Sequence, residues 1–436
     1  MSNEYFGNLQ SLVRSLSAIC PSPQPSTSSL SKGGRPARLT IAKLVAALCW
    51  HVLQECGTFS KNTAMLLGMW MADASLSERR TSLGSRPWTE ALEAFLAIPS
   101  TTDNLPEASY GGLRLVGVDG TTFNVANTPT VKANAVKTKT RRGEAAFFRI
   151  SCVALAALGS HRPLAVRIGE DGESEGVLAA SILQALREDD LLIADRYYGS
   201  GKWMARLEAL PQKPMFLLRV QERFGAQRVK TLADGSRWVH VKDPDSKSLI
   251  LVREIKAKVK RPGSRWTKVR FWTNLLDENR FPAMELVALY ARRWEQEIAF
   301  RELKEHLHSG ILLKSHTIPT AVQEICALFM AQAIVVSARM EVAASHEVPI
   351  LQISFEKVLV ACRHLCWLWA FAGDEIKPDT WARIARKAMQ NIAWQASKPR
   401  RKRTCPRKVR QSVRKWPRLF KNTYGKGEIL SRIRKS

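Results

Sequence analysis

Apolar positions change their period twice along the chain. From Thr40 to Gly57, and again from about Ser60 to Trp70, they recur at the three- and four-residue spacing of amphipathic helices. Ser75-Leu-Ser-Glu78 has the spacing of a capping box that would open a third helix. Three short helices in succession predict a helix-turn-helix-like module within an N-terminal helical DNA-binding region, residues 1–100. Arg79 and Arg80 would lie on its third helix, within reach of DNA, although three-helix packing without DNA contact fits the same pattern. The Pro/Ser/Gly-rich stretch from Pro21 to Arg38 reads as a flexible linker after a short N-terminal helix.

From Leu113 the pattern becomes that of strands. Leu113 to Asp119 is an almost continuous apolar run, Phe147 to Leu158 a second and Pro163 to Ile168 a third, in an order that suits an antiparallel meander. A helix from about Glu175 to Leu186 leads into the apolar strand Leu191 to Ala194, and after a further helix Met215 to Val220 forms a fifth strand. This alternation predicts an α/β layout with a mixed sheet. Between about Gln221 and Thr273 short alternating strands predict a β-rich insertion. Its clearest strand, Ile255-Lys-Ala-Lys-Val-Lys260, sets apolar residues against lysines. Helices return over Ala283 to Leu307, Thr320 to Val342 and Ser354 to Phe371, to pack on the sheet. The apolar stretch Ile325 to Met340 contains Gln332 and falls short of the ~20 residues a membrane span needs, so it reads as a buried helix.

Composition turns this layout toward nucleic acid. The 436 residues exceed one ordinary core and predict two or three units. Lys and Arg number 67 against 39 acids, a net charge of +28, which favours polyanionic partners. Lys398 to Ser436 alone holds 16 basic residues and one acid, so residues 376–436 read as a basic C-terminal tail. The start, Met-Ser-Asn-Glu-Tyr-Phe, lacks the pattern of a secretory signal. Eight scattered cysteines fit reduced thiols in a cytoplasmic compartment. Cys362 and Cys366 bracket His364 and with one more ligand could hold zinc; burial in a helix with Leu365, Trp367 and Leu368 is the plainer reading.

The candidate chemistry lies in three acids. Asp119, in Gly117-Val-Asp-Gly-Thr-Thr122, and Asp195, before Arg196-Tyr-Tyr-Gly199, each follow an apolar strand and can be neighbours at the sheet edge. Two carboxylates side by side call for a cation, so the pair is a candidate divalent-metal site; either Asp alone could equally cap a turn or helix. Downstream, Tyr290, Arg293 and Lys304 fall within about 40° of Glu297 at ~100° per residue, on one helical face. A carboxylate between cations suits a metal beside phosphate, while a solvated helix with an Arg293–Glu297 pair is the alternative.

The spacing Tyr-x2-Arg-x3-Glu-x6-Lys, preceded by Val-Asp-Gly-Thr and Ala-Asp-Arg-Tyr-Tyr-Gly, resembles the DDE transposases of bacterial insertion sequences, specifically the insertion-sequence-four group. The likeness runs from about Leu113 to Leu307. It implies a ribonuclease-H-like catalytic domain over residues 110–375, interrupted by the β-rich insertion at about 221–273. It also implies that Asp119, Asp195 and Glu297 are catalytic metal-binding acids, with Tyr290, Arg293 and Lys304 on the DNA. Such a site would take two Mg²⁺, with Mn²⁺ as a substitute. It would cleave double-stranded DNA at the element's terminal inverted repeats and join the freed 3′-hydroxyl to target DNA. Pairing of two ends implies a dimer on DNA, in the bacterial cytoplasm and with no membrane. Trp266 or Trp272 could stack on a flipped base of a hairpin, or simply pack in the core. A metal-dependent nuclease, or a transposase-derived DNA-binding protein without transposition, fits the same residues. A glycosidase would leave the charge and the Arg293/Lys304 face unexplained.

Overall fold

In the computed structural model the described residues are 39–396, apart from 55, 99–107, 136, 138, 141–142, 260–265 and 373–374. The linker at Pro21 to Arg38, the helix before it and the basic stretch from Lys398 lie outside them. The chain divides into a large unit, Met1–Ala257 with Lys268–Arg400, and a small one, Lys258–Thr267 with Arg401–Ser436.

The centre of the large unit is a mixed sheet. In chain order the strands are β1 (Ser109–Tyr110), β2 (Leu113–Val125), β3 (Lys139–Thr140), β4 (Gly143–Glu144), β5 (Phe148–Ala157), β6 (Pro163–Gly169), β7 (Asp190–Ala194), β8 (Met215–Arg219), β9 (Gln227–Thr231), β10 (Arg237–Lys242), β11 (Leu249–Val259) and β12 (Thr267–Thr273). Ten of them form one sheet in the order β6-β5-β2-β7-β8-β12-β11-β10-β9, with β1 on β2, while β3 and β4 pair separately. β5 runs antiparallel to β2 and β6, β7 joins β2 and β8 in parallel, and β12 returns antiparallel to β8. The insertion therefore continues the main sheet instead of forming a separate one. Every residue of β7 is buried, as expected of a central parallel strand covered on both faces.

Side-chain alternation sorts the strands between two cores. Val116 and Val118 of β2, with Val153 and Leu155 of β5, pack against the helices Glu175–Ile182 and Gly201–Glu208. Phe123 and Val125, with Ile150 and Cys152, face the other layer. That layer is centred on the long helix Ile318–His346, which begins in a Thr317/Thr320 capping box. It is long and apolar enough to cross a membrane, yet is buried among its neighbours, and Gln332 donates 2.9 Å to the carbonyl of Ala299. One polar side chain thus fastens the central helix to the helix that carries Glu297.

Among the described residues four helices precede the sheet: Ile41–Leu53, Phe59–Leu67, Asp73–Leu83 and Arg86–Ala97. Thr40 and Thr58 cap the first two, and Gly68, at φ 64°, ends the second. The third differs from expectation, because it starts at Asp73 after Ala72, so Ser75 lies inside the helix and no capping box forms. Asp73 instead accepts from the amide of Ser60, 2.9 Å away. The fourth helix, with Pro87 in its first turn, was not among the expected elements. Leu44, Leu48, Trp88 and Leu92 share one core with Phe329 and Val336 of the long helix. These helices therefore have no core of their own.

At the other end, Phe355–Ala372 is followed by a helix over Pro378–Trp394, inside the segment read from sequence as basic tail. Its buried residues Trp381, Ala385, Met389 and Ile392 recur at three and four, a helical stripe obscured by the charge around it. Cys362 is buried in the preceding helix. No group of three His, Cys, Asp or Glu that could hold a metal exists among the described residues, so the zinc alternative has no third ligand there.

Candidate active site

Sheet register brings the first two acids level. The last parallel pair between β2 and β7 is Gly117 with Ile193, and two residues beyond it on each strand stand Asp119 and Asp195. Asp119 is not at a strand end, as its Asp-Gly sequence suggested; β2 continues to Val125 because β5 still pairs with it on the other side. Its neighbour β7 is what stops, at Ala194. The gap so opened at the β7 side leaves Asp119 half-buried, with its Oδ1 accepting from the Gly120 amide at 2.9 Å. Asp195 accepts from the amide of Tyr197 at 2.7 Å, which fixes the turn that follows β7.

The third acid arrives on an irregular helix. Ala283–Leu289 passes through a tight turn, Tyr290–Arg293, into Trp294–Glu302 and then a wide turn, Leu303–His308. The even 100° spacing assumed from sequence therefore fails at both ends. The outward face is nonetheless kept toward β2. Arg293 lies 3.7 Å from Asp119 and donates 2.5 Å to Glu297. Lys304 donates 2.9 Å to the carbonyl of Thr122 and lies over Phe123. Tyr290 packs its ring 4.6 Å from that of Phe271. The Arg293–Glu297 pair foreseen as the plainer alternative does form, but its guanidinium also reaches Asp119.

Close packing lets this helix approach the sheet. Gly117 has no Cβ, and the space is taken by Leu158 and by Gln296, the residue before Glu297. Both are buried.

Charge accumulates where these elements meet. The Asp119 carboxyl is pushed up to about 6, first by burial and further by the charges of Asp195 and Glu175, against the opposing Gly120 amide and Arg293. Glu175 was not singled out from sequence, where it reads only as a first-turn acid of a helix. Here it lies over Gly120 and accepts from the Tyr198 hydroxyl at 3.1 Å. Burial raises its pKa, and the charge of Asp195 adds to the rise. Burial raises the Tyr290 phenol to about 12 and lowers Lys304.

Arg80, expected on nucleic acid, is redirected, and Trp272 takes the core alternative. Arg80 spends its guanidinium inside the protein, on Gln323 at 2.9 Å, Ser315 at 3.1 Å and the Thr320 carbonyl at 2.8 Å. It ties the third helix to the long one and is not free to reach a phosphate. Arg79 is half-buried one residue away. Trp272 is fully buried, with its indole nitrogen 3.3 Å from Glu254, so it is a core residue and offers no surface for a base. Trp266 is exposed.

Residues 110–334 match the family model described as Transposase DDE domain. The chain is also similar to the transposase InsG for insertion sequence element IS4 of Escherichia coli (strain K12), 24% identical over 272 residues. That alignment covers 60% of this chain and 60% of that relative, so the chain spans less than two thirds of the relative's length. Among solved structures, the piggyBac transposase synaptic complex with hairpin DNA aligns with a TM-score of 0.43 and 11% identity, over 89% of this chain and 84% of that one.

Proposed function

The chain belongs to the DDE transposase family, and from that premise we propose that it is a DNA transposase whose catalytic acids are Asp119, Asp195 and Glu297. The observation that carries this reading is the register that sets Asp119 and Asp195 level on adjacent parallel strands, with Glu297 reaching Asp119 through Arg293. The strand order β6-β5-β2-β7-β8, three antiparallel strands followed by two parallel to β2, supports a ribonuclease-H-like core.

The donor set has the chemistry of a hard-cation site, although among the described residues the three acids are not gathered into one metal-holding group. All its atoms are carboxylate oxygens, and Asp119, whose pKa is raised first by burial and further by the charges of Asp195 and Glu175, is a carboxylate that a divalent ion would stabilise in its charged form. Asp119 and Asp195 would hold the ion. Glu297 would join them once Arg293, now its partner, turns to a DNA phosphate. When bound, two Mg²⁺, for which Mn²⁺ can substitute, supply Lewis acidity to both the attacking and the leaving oxygen of an in-line displacement at phosphorus. Arg293 and Lys304 hold the scissile strand by its phosphates, and Tyr290 braces the turn before them against Phe271. Water is the first nucleophile, freeing a 3′-hydroxyl at the element end. That hydroxyl is the second: it attacks a target phosphodiester and displaces the target strand's own 3′-oxygen, so that one P–O bond breaks as one forms and no covalent protein intermediate is needed.

The partners are then double-stranded DNA, as terminal inverted repeats and as target, and a second copy of this chain that carries the other end. The place of action is the bacterial cytoplasm. The test is incubation of the full chain with the DNA that flanks its own gene, with Mg²⁺ or with EDTA. Nicks bearing 3′-hydroxyls at the element ends, followed by joined products, are expected with Mg²⁺ alone. Absence of cleavage with Mg²⁺, or cleavage indifferent to EDTA, would refute the assignment.

A further inference from the structure

The back of the Glu297 helix holds a buried charge cluster that the chemistry above does not use. At about 100° per residue, Glu295 and Glu302 fall roughly 140–160° from Glu297, on the opposite side of the helix. Both meet one imidazole. His161 Nδ1 lies 2.8 Å from Glu302 Oε2, and its Nε2 lies 2.9 Å from Glu295 Oε2. The other Glu302 oxygen accepts from Arg339 of the long helix at 3.2 Å, and Arg339 also donates 3.1 Å to the carbonyl of Ile350. His161 is 2% exposed. Arg301, His306 and Glu356 stand farther out, on the rim of a cavity of about 420 Å³ beside the cluster.

Two features single out His161. It occupies the turn between β5 and β6 at φ 69°, in the left-handed region that Gly, Asn, Asp and His enter more readily than other residues, which fixes the ring against the back of the Glu297 helix. Moreover, both ring nitrogens face carboxylate oxygens, which only accept, so both must carry protons. The imidazolium and Arg339 together balance the two glutamates.

We propose that His161 is a positioning residue: it latches the back of the Glu297 helix to the β5–β6 turn at two points two helical turns apart, and so fixes where Glu297 stands relative to Asp119. The latch holds the helix against rotation and sliding, which a single contact could not do. This inference rests on the assignment of Glu297 as a catalytic acid, but the latch can be read without cleavage. The carboxylates raise the His161 pKa, against burial as the largest opposing effect and against the charge of Arg339.

The decisive experiment combines ring-nitrogen NMR of wild-type protein labelled with ¹⁵N-histidine, hydrogen exchange over residues 294–302, and cleavage. His161→Asn is the variant, since Asn tolerates the left-handed backbone. In the wild type at pH 7 both His161 nitrogens should be protonated, and a neutral tautomer would overturn the proposal without any variant having to fold. In H161N the amides of 294–302 should exchange at least tenfold faster, while those of β10 stay unchanged. DNA affinity should hold within twofold and the cleavage rate constant fall about tenfold. Adding Glu302→Gln to H161N should cost little more, because the latch is already open. Unchanged exchange over 294–302 would refute the latch. Should the wild type not cleave DNA at all, the transposase reading falls, while the NMR and exchange results still decide the latch.

Discussion

Replacing Gly117 by Ala tests whether the approach of the Glu297 helix to the sheet sets the active-site geometry. A Cβ there would stand 2.6 Å from Leu158 Cδ2, 2.9 Å from Gln296 Oε1 and 3.3 Å from Gln296 Cβ. Ordinary carbon contacts lie at about 3.5–4.0 Å. The side-chain ends must therefore yield by about 1 Å and the helix by several tenths of an ångström. Leu158 and Gln296 are 0% and 1% exposed, so neither has slack to take up the shift. Overpacking of this kind costs about 1–3 kcal/mol, offset by ~0.4–1 kcal/mol from stiffening the unfolded chain. A net loss of about 1–2 kcal/mol is expected. Gln296 immediately precedes Glu297, so the retreat moves the carboxylate by several tenths of an ångström as well; since a full 1 Å costs on the order of 10²-fold in rate, a loss of roughly tenfold is expected. Urea denaturation and Mg²⁺-dependent cleavage measure the two effects. Gly225→Ala is the control, since nothing lies within 4 Å of its added Cβ. If G117A matches G225A in both stability and rate, the close approach does not position Glu297.

In EDTA, Asp119→Asn should be more stable than wild type at pH 8. The Asp119 carboxyl titrates near 6 in the fold against an ordinary 3.8, which corresponds to at most roughly 3 kcal/mol. Because the folded pKa is the raised one, wild-type stability from this group is present below about pH 4 and lost as pH rises through 6. The two proteins should thus converge in acid, and a gap independent of pH in urea melts would disprove the raised Asp119 pKa. Arg80→Ala should destabilise by about 2–3 kcal/mol through the unpaired Gln323, Ser315 and Thr320 groups, yet leave DNA affinity within twofold; a large affinity loss at intact stability would return Arg80 to the DNA face. Removing Lys398 to Ser436 should weaken binding to all DNA sequences and flatten its dependence on salt, and an unchanged salt slope in binding titrations would exclude phosphate contacts by that segment.

The strands around the site were legible because each is an unbroken apolar run with polar residues after it: Phe148–Ala157, Pro163–Gly169 and Asp190–Ala194 lie within two residues of their expected limits. The Tyr290/Arg293/Glu297/Lys304 spacing was legible as a local pattern, but the tight and wide turns that flank Trp294–Glu302 were not. What was not legible depends on partners distant in sequence. The level placement of Asp119 and Asp195 is a matter of register, and β2 runs past Asp119 because β5 pairs with it there. Arg80 looked like a DNA contact because its three acceptors lie more than 200 residues away. Glu175 and His161 carry no motif, and each acquires its role only when the helix or turn that bears it is packed beside the acids. Trp272 could be assigned to surface or core only once its strand had joined the sheet.

The most direct test of the catalytic assignment is single-turnover cleavage of duplex DNA carrying the element's own ends, in Mg²⁺, by wild type, Asp119→Asn, Asp195→Asn and Glu297→Gln, with DNA affinity measured in parallel. All three variants should bind within about threefold of wild type and cleave no detectable DNA. Wild-type-like cleavage by any one of them would remove that residue from the site and contradict the account.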